Sequence, residues 1–316
     1  MKLDCPPQYV DPRSTFGKEI SELAERFPAL VVVSTDSGKS SGFQSFASAQ
    51  PDRYFEVGIA EQAATGVCAG LATTGLTPVL CAIAPFVTSR NFEFFRNDVG
   101  YMHQNVKIVG RNGGFTYSEL GSTHHSLEDY ALIGSIPGVV ILAPADAGEL
   151  RAACAAMLKW DGPVYMRIGA EKIPDFGNEN EFVIGRGRRI TSGNDLTVVT
   201  TGYTTNYVRS AVALLIEEGA SIDLIHMPTV SPFDRDIVLE SAIKTGRVVS
   251  VEEHYAFGGL GTRTAELVAG VGVARWSGLS VSQKNQPSST YADLLAQNSL
   301  DVDGISTYLR DVLEAS

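Results

Sequence analysis

The chain has 316 residues, of which 44% are hydrophobic and 19% are charged, so it is long enough for two domains with a core each. Its formal net charge of −11 argues against nucleic acid as a partner, because phosphate contacts need clustered Lys and Arg. Its four cysteines are widely spaced and predict neither a zinc site nor a disulfide framework: Cys5, Cys68, Cys81 and Cys154.

At the start of the chain, residues 1–7 lack the apolar segment of a secretory signal. No later run reaches the length of a membrane span. We therefore expect a cytoplasmic protein with no membrane contact.

Apolar runs in the first half alternate with helical patterns, which predicts buried parallel strands at 29–34, 106–110, 139–143 and 164–168. Between the last two strands, Asp146 is a predicted helix N-cap and Glu149 is positioned to reach back toward it. The helix that follows should turn a set of apolar residues inward: Leu150, Cys154, Met157 and Leu158.

Residues 169–189 are rich in Pro, Gly and Asn and predict a linker. Beyond it, strands are predicted at 196–200, 222–226 and 247–251, with a helix at about 206–218. We predict an α/β protein with two doubly wound, mostly parallel sheets, one in a domain of residues 1–175 and one in a domain of residues 190–316.

Residues 54–62 predict a strand that turns into a helix with Glu61 in its first turn. The helix should pack one face closely against another element: Ala60, Ala63, Ala64, Val67 and Leu71. A carboxylate buried there needs a partner or takes a raised pKa, and either makes Glu61 a functional candidate. From the residues alone, Glu61 is equally well explained as a favourable partner of the helix dipole.

Several short blocks, taken together and in order, resemble one enzyme family. The blocks are Val-Gly-Ile-Ala-Glu-Gln at 57–62, then 84–86, 96–99, 107–110, 123–124, 144–146, 161–165, 252–254 and 258–261. The chain resembles the C-terminal half of a transketolase in the form that is encoded as a separate subunit. The resemblance implies a pyrimidine-binding domain followed by a transketolase C-terminal domain.

The resemblance implies thiamine diphosphate as cofactor and assigns residues to it. Glu61 matches the glutamate that hydrogen-bonds N1′ of the aminopyrimidine, a charge-assisted contact that is strong in a dry site. Phe86 matches the aromatic ring that stacks on the aminopyrimidine, and Asp36 resembles a residue near the cofactor. Ile83 lies at a cofactor-binding position that is often aromatic in the family.

The resemblance also assigns substrate contacts. His124 matches a histidine that contacts the sugar near the reacting carbons, while His125 stands where glutamine is common. Leu120 replaces an aspartate that recognises a sugar hydroxyl, and Asn112 replaces a histidine that contacts phosphate. These two departures predict a specialised sugar, such as apulose 4-phosphate or a sulfonated ketose.

Three residues match family positions that hold the phosphate of a sugar phosphate: Arg13, Ser40 and Arg167. Arg167 follows a predicted strand, where its guanidinium would reach an anion at the carboxyl end of the sheet. Lys39 is a further candidate cation.

The chain lacks the Gly-Asp-Gly motif and downstream Asn that bind Mg²⁺ and the cofactor's diphosphate. An N-terminal transketolase subunit should therefore supply those ligands, in an assembly of two plus two chains. The predicted activity is transfer of a two-carbon ketol unit between phosphorylated sugars. Two alternatives remain open: the β subunit of the first component of a 2-oxoacid dehydrogenase, and a non-catalytic subunit that binds a partner.

Overall fold

The computed structural model describes residues 7–177 and 181–315, and two mostly parallel sheets organise them. With strands and helices numbered in chain order, the larger sheet runs from β12 (Thr229–Ser231) through β6 (Val140–Leu142), β7 (Val164–Arg167), β5 (Lys107–Arg111), β4 (Thr77–Ile83) and β2 (Leu30–Ser34) to β3 (Tyr54–Glu56). Neighbouring strands in it are parallel except β12, which pairs antiparallel with β6.

Helices cover both faces of this sheet: α1 (Pro12–Leu23), α2 (Gln44–Ala49), α3 (Glu61–Thr73), α4 (Ala84–Val87), α5 (Phe92–Phe94), α6 (Asp129–Gly134) and α7 (Ala147–Lys159). Short segments of 3₁₀ helix lie at Pro51–Arg53 and Ser118–Thr123, and a π-helical segment at Phe95–Tyr101. Strand β2 shows why two cores form, because its side chains alternate between them. Leu30 and Val32 belong to one core, and Val33 belongs to the other.

The second sheet has five strands in the order β14 (Arg275–Val281), β13 (Arg247–Tyr255), β10 (Leu196–Thr200), β11 (Ile222–His226) and β9 (Arg188–Arg189). Only β9 is antiparallel to its neighbour. The surrounding helices are α8 (Thr204–Glu217), α9 (Arg235–Thr245), α10 (Leu260–Val271), α11 (Tyr291–Gln297) and α12 (Val302–Glu314). A separate antiparallel pair joins β1 (Gln8–Val10) to β8 (Ile173–Asp175).

The α/β class with mostly parallel sheets is confirmed, and every predicted strand is present. Strand β4 was missed, although it lies in the middle of the larger sheet. It contains Pro78, and proline within an apolar run argues against a central strand. None of the helices in the described parts of the chain combines the length and apolar character needed to cross a membrane.

The predicted helix after Asp146 is also present, and the Asp146 carboxylate accepts a hydrogen bond from the Glu149 N–H at 2.8 Å. The four residues predicted to face inward are buried. The Glu149 carboxylate does not return to Asp146, however. It accepts from the Ala145 N–H at 2.6 Å and lies 2.8 Å from His226 Nε2 of the second sheet, so it links the two sheets.

Candidate cofactor and substrate site

Four neighbouring strands of the larger sheet end at the same edge. Strands β3, β2, β4 and β5 end there at Glu56, Ser34, Ile83 and Arg111. Because these strands are parallel, the segments that follow them converge on one side of the sheet. Those segments carry most of the residues predicted to bind cofactor or substrate.

Glu61 is the first residue of α3 and is only 5% exposed. Its Oε2 accepts a hydrogen bond from Nη1 of Arg90 at 2.9 Å. Glu61 therefore has the charged partner that its burial was predicted to require. The two partners differ in burial, because 40% of the Arg90 side chain is exposed whereas Glu61 is almost fully buried.

Arg90 also contacts Phe86, the second residue predicted for the cofactor. The guanidinium carbon of Arg90 lies 3.7 Å from the centroid of the Phe86 ring, which is a close cation–π contact. The backbone of Arg90 is held by hydrogen bonds, since its N–H donates to Pro85 and its carbonyl accepts from Gln62. Arg90 was not identified from the sequence, although its position four residues after Phe86 could have suggested a contact between the two side chains.

The predicted packing face of α3 is wrong in part. The buried residues are Glu61, Ala64, Thr65, Cys68 and Ala69, whereas Ala63, Val67 and Gly70 are exposed. Thr65 defines the buried side, because Asn91 Nδ2 donates to its hydroxyl at 2.6 Å inside the protein. The exposed side of α3 therefore remains a surface of small residues beside the carboxylate.

The two adjacent histidines point to different environments. His124 is half-buried, with its ring centroid 5.3 Å from that of Phe86 and 5.8 Å from that of Tyr117. Its Nδ1 lies 3.0 Å from the Thr123 hydroxyl. His125 is buried against Phe115, and burial lowers its pKa. The structure thus brings His124 next to Phe86 and places His125 in the interior, and the substrate contact of His125 stays a prediction.

Arg111, which sequence reasoning missed, is the buried cation of the site. It is 2% exposed, and its guanidinium donates only to neutral groups in the described structure: Ser40 Oγ at 3.0 Å, Ser41 Oγ at 3.2 Å, Asn112 Oδ1 at 3.0 Å and Tyr117 Oη at 3.2 Å. Its position directly before the predicted site residue Asn112, at the end of a predicted strand, could have indicated that Arg111 lies near the site. A buried cation with neutral partners is suited to accept an anion.

The two positions that depart from the family pattern lie close to Arg111 in the chain but differ in setting. Asn112 is buried in a left-handed backbone conformation (φ 58°) and turns its side-chain oxygen onto Arg111. Leu120 is 52% exposed on the 3₁₀ segment that precedes His124. Asn112 therefore orients the cation, and Leu120 presents an apolar surface at the rim.

Four more of the predicted residues line an open cleft of about 420 Å³ beside Arg111. Its walls include Arg13, Asp36, Lys39 and Ser40. Arg13 is already paired with Asp11 at 2.7 Å, whereas Lys39 is exposed. The Asp36 N–H donates to Glu56 at 2.7 Å from a backbone with φ 54°. Ile83 ends β4 next to Arg111, half-buried.

Arg167, whose predicted role is to bind phosphate, lies at the contact between the two sheets. It is 8% exposed, forms an ion pair with Asp129 at 3.3 Å and donates to the Glu253 carbonyl at 2.9 Å. Its guanidinium carbon also lies 4.8 Å from the Tyr130 ring centroid. A strand end alone does not determine where a side chain points, and this one turns into the contact between the two sheets.

Arg167 belongs to a cluster of buried ionisable groups between the sheets, the intersheet cluster, formed by Asp129, Arg167, Glu252, Glu253 and His254. Burial raises the pKa of Glu252 to about 7, although the Leu260 and Gly261 N–H groups each donate to it at 2.7 Å. Burial lowers the pKa of His254 to about 4. These groups lie at the contact between the two halves of the chain, where burial disfavours the charged forms of both Glu252 and His254.

Within residues 7–177 and 181–315, no group of three or more His, Cys, Asp or Glu side chains is arranged to hold a metal ion. The polar residues at the sheet edge offer a carboxylate, an aromatic face, an imidazole and a cation instead. They can hold a flat nitrogen heterocycle at one end and an oxyanion at the other.

Two family models match the chain. Residues 8–174 match the transketolase pyrimidine-binding domain, and residues 185–305 match the transketolase C-terminal domain. The chain is 37% identical over 259 residues to a subunit of the apulose-4-phosphate transketolase of Phocaeicola vulgatus, covering 81% of this chain and 83% of that protein. It is 35% identical over 255 residues to the 6-deoxy-6-sulfo-D-fructose transketolase subunit of a Clostridium strain, covering 80% and 79%.

A solved structure described as a split-gene transketolase, an inactive beta4 tetramer, is similar over almost the whole chain. The TM-score is 0.89 at 34% sequence identity, with 96% of this chain and 98% of that chain covered. The fold, the geometry at the sheet edge and both domain matches agree. The chain belongs to the transketolase family and is a split-transketolase subunit, the one that carries the pyrimidine-binding and C-terminal domains.

Proposed function

We propose that this subunit supplies the pyrimidine half of a thiamine diphosphate site and, with an N-terminal subunit, transfers a two-carbon ketol unit between sugars that carry an anionic group. One observation carries the proposal. A continuous row of contacts crosses the sheet edge from a buried carboxylate to a buried cation, through Glu61, Arg90, Phe86, His124, Tyr117 and Arg111. We call this the site row.

The Glu61 end of the site row fits the aminopyrimidine of the cofactor. A buried carboxylate holds a proton at N1′ through a charge-assisted hydrogen bond, and Phe86 provides a flat apolar surface for the ring. When bound, the cofactor supplies the nucleophilic carbon that ketol transfer needs. Glu61 favours protonation of N1′ of the pyrimidine, and Phe86 fixes the orientation of the ring.

The middle of the site row fits the sugar. Thr123 lies within hydrogen-bond distance of Nδ1 of His124, so Nε2 is the nitrogen that we assign to a sugar hydroxyl or a developing oxyanion. Leu120 cannot hydrogen-bond a hydroxyl, so the sugar position near it should be one that needs no polar contact.

The Arg111 end of the site row fits the anionic end of the substrate. Ser40 bridges the buried Arg111 and the cleft where Lys39 and Arg13 lie. We propose this group, in place of Arg167, as the binding site for a phosphate or sulfonate. Relatives named for apulose 4-phosphate and for a sulfonated fructose support a specialised substrate of this kind.

A partner chain is part of the proposal, since relatives of similar length are described as transketolase subunits. We propose an assembly of two such chains with two N-terminal transketolase subunits. The related split-gene chain whose structure is described as an inactive beta4 tetramer supports the need for a second subunit. The comparisons do not favour a 2-oxoacid dehydrogenase subunit, and Glu61 with Phe86 argues against a non-catalytic one.

The test is co-expression with an N-terminal transketolase subunit, followed by a ketol-transfer assay with thiamine diphosphate and Mg²⁺. The panel should contain ketose phosphates, a sulfonated ketose and the matching sugars without an anion, and pyruvate as the 2-oxoacid control. We expect cofactor-dependent transfer only with both chains present, and faster from anionic sugars than from the matching neutral ones. An assembled complex that decarboxylates pyruvate without transferring a ketol unit would contradict the proposal.

A further inference from the structure

Arg90 is a member of the site row that the family resemblance does not assign. Its guanidinium is flat, carries N–H groups in its plane and rests on both groups proposed for the aminopyrimidine. It donates to Glu61 Oε2 at 2.9 Å while its Cζ lies 3.7 Å from the Phe86 centroid. An aminopyrimidine would make the same two kinds of contact, one stacked on the ring and one in plane with the carboxylate.

We propose, on the basis of the function proposed above, that Arg90 occupies the place of the aminopyrimidine in the cofactor-free subunit and leaves it when the cofactor binds. A stacked ring and a stacked guanidinium cannot share one face of Phe86. The remaining approach to that ring is restricted, because His124 packs against it in an edge-on contact.

The surroundings of Arg90 suit such an exchange. Glu61 is almost fully buried, so its charge is costly without a partner. The backbone of Arg90 is fixed by its bonds to Pro85 and Gln62, but its side chain is 40% exposed and long enough to swing into solvent. The exchange therefore needs a side-chain rotation and no movement of the sheet edge.

The proposed exchange predicts the direction in which cofactor affinity changes when Arg90 is replaced. Arg90 stabilises the cofactor-free state by neutralising Glu61, and it makes no such contact once the cofactor has taken its place. Replacing Arg90 by alanine raises the free energy of the cofactor-free state only. Cofactor affinity should therefore increase, by about tenfold for one charged hydrogen bond.

The experiment measures thiamine diphosphate binding to the assembled complex by calorimetry, together with the melting temperature with and without cofactor. The variants are Arg90→Ala, Arg90→Lys, which keeps the charge without the flat face, and Arg26→Ala, a control at an exposed arginine after α1. We expect Arg90→Ala to bind the cofactor more tightly and to melt at lower temperature only in its absence. Arg90→Lys should fall between Arg90→Ala and the unaltered complex, and Arg26→Ala should match the unaltered complex.

Three results would overturn the inference. Weaker binding in Arg90→Ala would mean that Arg90 holds the cofactor, and unchanged binding would mean that the two do not compete. A lower melting temperature in both states would show a purely structural role. If the unaltered complex binds no thiamine diphosphate at all, the proposed function fails instead, so the two failures are distinct.

Discussion

The sheet edge and the intersheet cluster both bury charged groups, but they satisfy them differently. Between the sheets, Arg167 has the Asp129 carboxylate and a carbonyl, and Glu252 has two backbone N–H donors at the start of α10. At the sheet edge, Glu61 relies on a half-exposed arginine, and Arg111 donates to neutral oxygens.

This difference separates structural charges from functional ones. A buried charge whose partners all lie in fixed parts of the same chain has little capacity for a ligand, and removing its partner is strongly destabilising. A buried charge with a neutral or displaceable partner retains that capacity. We make four predictions, in order of decreasing expected effect; three test this distinction, and the last extends it to a buried lysine elsewhere in the larger sheet.

The largest effect is expected for Arg167→Met, which leaves Asp129 buried without its cation. Breaking a buried ion pair in this way costs about 3–5 kcal/mol of unfolding free energy. Arg111→Met is the matched comparison, since it leaves only neutral groups behind and should cost clearly less. Denaturant unfolding of both variants measures the two losses, and equal losses would contradict the distinction.

The second prediction concerns turnover. Glu61→Ala should lower kcat of the assembled enzyme by roughly 10²–10³, because a group that acts on developing charge in a dry site is removed. Glu25→Ala, at an exposed glutamate after α1, is the control. Steady-state assays and melting curves of both variants are needed, and near-normal turnover in a well-assembled Glu61→Ala enzyme would disprove the catalytic role.

The third prediction concerns the substrate's anion. Arg111→Gln should raise KM for a phosphorylated or sulfonated ketose by about 10- to 100-fold, the value of a charged hydrogen bond in a buried site. The same variant should act nearly like the unaltered enzyme on a ketose without the anion. A KM that is unchanged for the anionic ketose would remove Arg111 from the binding site.

The smallest effect concerns Lys107, a buried lysine at the opposite end of β5 from Arg111. Its ammonium donates to the Trp160 and Gly162 carbonyls at 2.7 Å, and burial lowers its pKa from 10.5 to about 7. Between these values the folded chain binds fewer protons than the unfolded chain, so this group makes stability rise with pH. The free energy of unfolding should rise by about 1 kcal/mol between pH 7 and pH 8 because of this group.

Lys107→Met provides the comparison for that effect. The cost of burying the ammonium is fully present below about pH 7 and is relieved as the pH rises toward 10.5. Subtracting the variant's unfolding free energies from those of the unaltered chain isolates the slope due to Lys107. A difference that does not change with pH over this range would show that the lysine stays charged in the folded state.

Periodicity and local signals predicted much of the fold, because apolar runs and linker composition are short-range properties. Together with the family resemblance, they identified three residues that the structure brings into one row, Glu61, Phe86 and His124. They could not identify Arg111 as the buried cation, because its contacts with Ser40 and Ser41 join segments about 70 residues apart. For the same reason the sequence could not show where the Arg167 side chain points, since that depends on the packing of the second half of the chain.

Strand β12 gives the two halves of the chain a shared element. Thr229–Ser231 lies far beyond the linker, yet it hydrogen-bonds to β6 and forms the outermost strand of the larger sheet. If the gene were cut at the linker, the first half would lose that strand and expose the backbone edge of β6, which invites pairing with other chains. The smallest piece suited to recombinant expression is therefore longer than the pyrimidine-binding domain match suggests.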